Sequence, residues 1–172
     1  MTYIYCSHPK FAQKNMALQV GQPAPDFTLW DNEKKQVTLS GLKGKNVVLL
    51  FFPLAFTGVC TKELCTIRDT MKIYEGLDAQ IFGISVDSLH SLNKFRAEQN
   101  LNFPLLSDFN KVVSTAYDTI YENFFNDMKG VSKRSAFVID KEGVLQYVEV
   151  LESALDIPNF DAIQKCLGCL PK

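Results

Sequence analysis

The chain has 172 residues, 47% of them apolar and 12% aromatic, with 18 basic against 19 acidic side chains. That composition supplies a core and excludes an intrinsically disordered chain, and the near-cancelling charge with no basic stripe excludes a nucleic-acid footprint. The longest apolar run, 47–56, is broken by Pro53 and falls far short of the roughly 20 residues of a membrane span.

Residues 1–15 lack the apolar stretch of a secretory signal and read as a poorly specified arm, so a cytoplasmic location is the expectation. Met1 and Met16 are both candidate starts. Residues 16–172 read as a single domain. Gly21 to Pro25 is an extended lead-in, because a residue before proline is pushed out of the helical region. Residues 27–29 and 36–39 alternate around a polar turn and predict an N-terminal hairpin. Residues 46–52 form a continuous apolar run, the pattern of a central strand buried on both faces.

Leu64, Ile67, Met71 and Tyr74 fall at helical spacing and predict one helix over 61–74. A second buried strand follows over 81–86. Asp87 or Ser88 then caps a helix carrying Leu89, Leu92 and Phe95. A short extended piece at 103–106 and a short helix at 111–117 lead to a hairpin formed by 135–140 and 144–148. An amphipathic helix over 158–167 ends the pattern. Strands alternating with helices, followed by a hairpin and helix, predict an α/β fold with a mixed central sheet flanked by helices.

The five cysteines, Cys6, Cys60, Cys65, Cys166 and Cys169, are too few for a disulfide scaffold and odd in number, which points to a reducing compartment or to reactive thiols. Cys60 is the most informative. A buried strand ends at Pro53, a loop turns, and a helix begins at this residue. A helix N-terminus favours the thiolate, the reactive form of cysteine. Thr57, three residues earlier, offers a hydroxyl beside the sulfur, and Arg134 is the best candidate from elsewhere in the chain for a cation to hold it.

Pro53, Thr57 and Cys60 match the P-x-x-x-T-x-x-C motif, and the chain resembles the peroxiredoxins, thiol peroxidases of thioredoxin-like fold. Arg134, ahead of 135–140, resembles the family's active-site arginine, and Asp26-Phe27 after Pro23 and Pro25 resembles its opening motif. The likeness spans about 20–163. Cys60 to Cys65 is similar to the C-T-x-x-x-C of the Q-type (bacterioferritin comigratory protein) group, while the preceding loop resembles one-cysteine, AhpE-like members.

The resemblance implies a thiol-dependent peroxidase acting on hydrogen peroxide and organic hydroperoxides through a Cys60 sulfenic acid. Thr57 and Arg134 would position the peroxide, Pro53 would shield the sulfur, and Cys65 would resolve the sulfenate. A thioredoxin or glutaredoxin-like dithiol would then recycle the enzyme, with no cofactor and no metal. A homodimer through the edge near the Cys60 loop is a family expectation. On an ideal helix, residues five apart have Cα atoms beyond about 8 Å, so a Cys60–Cys65 disulfide requires the helix to unwind.

Other residues carry open readings. Cys166 and Cys169 form a C-x-x-C pair that can close; it reads as a frayed terminus, or as a relay to or resolver of Cys60. Glu63 reads as a helix-start charge, or as a residue orienting Arg134. Arg68 reads as support for the site or a solvated charge, and His90 as a surface residue. Tyr121, Phe124, Phe125 and Met128 read as core or lid packing, or as a wall against alkyl hydroperoxides or a dimer contact. Cys6 and His8 are a weak metal pair in the arm. Competing functions are a thiol–disulfide oxidoreductase or copper chaperone on the same fold, and a redox-sensing interaction protein. Turnover with a dithiol separates the peroxidase from the sensor, and tight metal binding would favour the chaperone.

Overall fold

The computed structural model describes residues 17–171; Cys6 and His8 lie outside them. The N-terminal hairpin forms as expected from β1 (Thr28–Asp31) and β2 (Gln36–Thr38). The apolar run becomes β3 (Asn46–Phe51), buried at every position. Its side chains divide by parity, as a strand's must. Val48, Leu50 and Phe52 enter one core cluster, and Val47, Leu49 and Phe51 enter another on the opposite face.

Beyond β3 lie α1 (Gly58–Asp69) and α2 (Met71–Gly76). The single helix expected over 61–74 is therefore two, and the first starts three residues early. The break falls at Thr70, whose hydroxyl donates to the Thr66 carbonyl at 2.8 Å, while the Thr66 hydroxyl donates to the Lys62 carbonyl at 2.8 Å. Such back-bonding competes with the helical ladder and bends helices. Asn102 also donates to the Arg68 carbonyl at 3.2 Å, holding the helix end open.

Next come β4 (Ala79–Ser85), α3 (Leu89–Glu98), β5 (Leu105–Ser107) and α4 (Val112–Ala116). Of the two cap candidates, Asp87 and Ser88, Ser88 caps α3 by accepting from the Ser91 amide. Gly83 in β4 is required by packing, because a Cβ there would stand 2.7 Å from Leu105 Cδ2. A small ladder of β6 (Ile120–Tyr121) and β7 (Val131–Ser132) has no sequence periodicity to announce it. The expected late hairpin is β8 (Ser135–Ile139) with β9 (Leu145–Val150), and α5 (Phe160–Cys169) closes the fold.

The main sheet has the order β2-β1-β5-β4-β3-β8-β9. β3, β4 and β5 run parallel, and the β1–β5, β3–β8 and β8–β9 pairs are antiparallel, so the sheet is mixed as expected. α1, α2, α3 and α5 supply apolar side chains to one face, while the hairpin segment and α4 cover the other. There Tyr117 packs its ring on Phe51 and Phe137 at centroid distances of 5.4 and 5.0 Å. Among the described residues, no helix is long and apolar enough to cross a membrane.

Candidate active site

The end of β3 sets the site. The Phe52 amide still bonds across to Ile84, and at Pro53 the chain leaves the sheet. The next loop is pinned from the neighbouring strand end, where Asp87 accepts from the Ala55 amide at 2.8 Å. Phe56 takes a left-handed conformation, φ 63°, and lays its half-exposed ring edge-on against Phe95. This is the backbone cost of turning directly from strand to helix. Thr57 enters α1 in an extended conformation, and its hydroxyl donates to the Leu54 carbonyl at 2.9 Å instead of capping the helix.

Cys60 is the third residue of α1 and is 1% exposed. The first backbone bond of the helix is Thr61 N–H to the Thr57 carbonyl, so the amides of Gly58 to Cys60 have no partner within the helix. Arg134 approaches from the junction of β7 and β8. β8 lies directly against β3, with Ser135 opposite Phe51, so this register delivers the preceding residue to the strand end. One guanidinium nitrogen, Nη2, stands 3.3 Å from Cys60 Sγ and also donates to the Ala154 carbonyl at 2.9 Å. Nε donates to the same carbonyl, and Nη1 pairs with Glu63.

Of the two readings open to Glu63, a helix-start charge or a partner of Arg134, its place past the first turn of α1 and its pairing favour the second. Glu63 is fully buried one turn below Cys60 and faces Arg134. Burial pushes its carboxyl pKa up to about 7, with Arg134 pulling in the opposite direction. Its Oε1 has no hydrogen-bond partner among the described residues. Burial works against the Arg134 charge, but Glu63 and Cys60 beside it hold the guanidinium protonated more firmly than usual.

A cavity of about 640 Å³ opens over the sulfur. Pro53, Thr57, Cys60 and Arg134 line its base, so four of the five predicted site residues meet there. Its wall is apolar and includes Tyr121, Phe124, Phe125, Met128 and Leu155. The 121–128 patch therefore flanks the site; Phe125 is 71% exposed and is not core. Tyr121 anchors the wall by donating to the Leu151 and Glu152 carbonyls and packing against Phe124.

Cys65, the fifth residue, lies further along the intact α1, half-buried and 3.8 Å from Gln99 Oε1. Arg68 is not at the Cys60 site. It bonds Asp69 and the Gln99 carbonyl, the latter at 2.6 Å. His90 is exposed on α3. Cys166 and Cys169 lie in the last turn of α5, which ends at Cys169. Among the described residues, no cluster of three or more His, Cys, Asp or Glu side chains could hold a metal.

A protein-family model described as the AhpC/TSA family matches residues 20–148. The chain belongs to that family, with the thioredoxin-like fold and thiol-dependent peroxidase activity of the peroxiredoxins. It is 42% identical over 136 residues to alkyl hydroperoxide reductase E of Mycobacterium tuberculosis (strain ATCC 25618 / H37Rv), covering 77% of this chain and 86% of that protein. It is 41% identical over 132 residues to peroxiredoxin Bcp of Bacillus subtilis (strain 168), covering 76% and 83%. Its fold is similar to the crystal structure of peroxidoxin BcpB from Mycobacterium tuberculosis, with a TM-score of 0.79, 30% identity, and coverage of 90% of this chain and 99% of that one.

Proposed function

We propose that Cys60 is the peroxidatic residue, reducing hydrogen peroxide and organic hydroperoxides. The observation that carries this reading is the 3.3 Å contact between Arg134 Nη2 and Cys60 Sγ at the base of an apolar cavity. The guanidinium and the first-turn amides of α1 stabilise negative charge on the sulfur and on the oxygen that leaves it. The thiolate attacks one peroxide oxygen, the O–O bond breaks, and hydroxide or alkoxide departs and takes up a proton. Cys60 becomes a sulfenic acid. Thr57 helps position the peroxide with its hydroxyl, and Pro53 shields the sulfur from bulk water. The apolar wall supports organic hydroperoxides as substrates.

Cys65 resolves the sulfenate in this reading: its sulfur forms a disulfide with Cys60, and water is released. Because α1 holds both residues, its first turns unwind for that step. A thioredoxin- or glutaredoxin-like dithiol then reduces the disulfide and is itself oxidised. Residues 16–172 act as one domain after an arm of 1–15, which the family match to 20–148 supports. A cytoplasmic location fits the free thiols at Cys60, Cys65, Cys166 and Cys169. A homodimer covering the edge near the Cys60 loop is supported by the exposure of Phe56. The experiment that tests the reading is turnover: peroxide-dependent oxidation of a dithiol, lost in Cys60→Ser. A chain that oxidises at Cys60 without turnover would instead be a redox sensor.

A further inference from the structure

We propose that Cys166 and Cys169 form a second thiol–disulfide exchange site, independent of the peroxidatic reading, whose substrates are small disulfides of the glutathione type. Both residues occupy the final turn of α5, which ends at Cys169. Residues three apart on a helix have Cα atoms about 5 Å apart, within disulfide range, and Cβ atoms about 5–6 Å apart, slightly too far. Closure therefore tightens only the last turn. That turn is already narrowed by the Leu170 N–H to Leu167 carbonyl bond, and a Cβ at Gly168, between the cysteines, would meet nothing within 4 Å, so the turn has room to move.

The pair is remote from Cys60. Leu167, Gly168 and Leu170 line a small cavity with Asn46, at the start of β3, whereas Cys60 shares its cavity with Pro53, just past the end of that strand. Seven residues of extended chain separate the two ends by about 20 Å. The relay and direct-resolution roles open to this pair in the sequence are thus out of reach within one folded chain.

The two sulfurs are unequal. Cys169 is exposed, whereas Cys166 is half-buried, packs on the core and directs its thiol at the Gln146 carbonyl, 3.5 Å away. Burial, and then the neighbouring Cys169, push the Cys166 thiol pKa up. No guanidinium pairs with either sulfur among the described residues, unlike at Cys60. Cys169 thus offers an exposed sulfur for attack on a disulfide, and neither sulfur has the cation that Cys60 has to receive the charge of a departing peroxide oxygen.

Cys169 gives up its proton and attacks the small disulfide. Its S–S bond breaks, one thiol is released, and a mixed disulfide remains on Cys169. Cys166 then loses its proton and attacks the Cys169 sulfur, releasing the second thiol and leaving a Cys166–Cys169 disulfide. The two protein thiols are oxidised and the small disulfide is reduced to two thiols.

The test uses the full chain carrying Cys6→Ser, Cys60→Ser and Cys65→Ser, treated with oxidised glutathione and mapped by peptide mass spectrometry. The expected product is an intramolecular Cys166–Cys169 disulfide that retains no glutathione. Adding Cys166→Ser should trap glutathione on Cys169, and adding Cys169→Ser should slow modification of Cys166 by about tenfold or more. Stable glutathione on both cysteines, equal reactivity of the two, or linkage between chains would overturn the proposal. The unsubstituted chain provides a check that does not depend on the variant folding. There the Cys166–Cys169 peptide supports the proposal, and a link from either residue to Cys60 overturns it. None of these outcomes alters the reading of Cys60.

Discussion

Arg134 and Glu63 form an ion pair that is almost entirely out of water, across the base of the cavity that holds Cys60. The same guanidinium touches the sulfur, so the pair fixes the cation where the thiolate needs it. Buried pairs of this kind add little net stability, but removing one partner strands the other charge.

Replacing Arg134 therefore has two separable effects. Arg134→Ala should lower the rate of Cys60 oxidation by about 10²–10³-fold, the usual cost of losing one preorganised donor. It should also destabilise the fold by about 3–5 kcal/mol, because Glu63 is left buried alone. Stopped-flow oxidation and urea unfolding measure the two. The double substitution Arg134→Met with Glu63→Gln should recover much of the stability and none of the rate.

Glu63 also gives the fold a pH dependence. Its folded-state pKa, about 7, lies above the ordinary carboxyl value of 4.5, so between those limits the native state binds more protons than the unfolded state. Its contribution therefore becomes less favourable as pH rises from about 4.5 to 7. Glu63→Gln should abolish that slope in urea unfolding measured across the same window. An unchanged slope would assign the dependence to other groups.

The Cys60–Cys65 disulfide should cost α1 its first turns. Amide exchange across residues 61–67 should be faster in the disulfide form than in the reduced form by at least tenfold, because those hydrogen bonds are lost. Equal protection in the two forms would overturn the unwinding step. Cys65→Ser should leave a persistent Cys60 sulfenate that a dimedone-type probe captures.

The exposed ring of Phe125 lies on the cavity wall, outside the core. Phe125→Ala should leave stability within about 0.5 kcal/mol. It should lower kcat/KM for a long-chain alkyl hydroperoxide by roughly tenfold relative to hydrogen peroxide, which has no alkyl part to bury. Parallel kinetics with the two substrates measure the ratio.

The legible parts of this molecule are those in which local pattern and tertiary role coincide. Residues 46–52 are apolar without alternation because both faces of β3 are covered, and the motif from Pro53 to Cys60 follows directly from that strand's end. The 135–140 and 144–148 hairpin carries its own turn. Glu63 was harder to read. With the helix expected to start at 61, an acid at 63 has a sufficient local explanation in the helix dipole; α1 starts at Gly58, which puts Glu63 past the first turn, and its real partner is 71 residues away in sequence. The wall residues Tyr121 to Met128 have no helical or strand period, because their backbone includes left-handed turns at Asn126 and Asp127. The break at Thr70 depends on side-chain bonds to helix carbonyls that apolar spacing does not register.

The most direct test of the account is one equivalent of hydrogen peroxide added to the fully reduced chain, followed by peptide mapping of all five cysteines over time. Oxidation should begin at Cys60 and pass to a Cys60–Cys65 disulfide, with Cys166 and Cys169 still reduced at that point. If Cys60 stayed reduced while other cysteines oxidised, Cys60 would not be the peroxidatic residue.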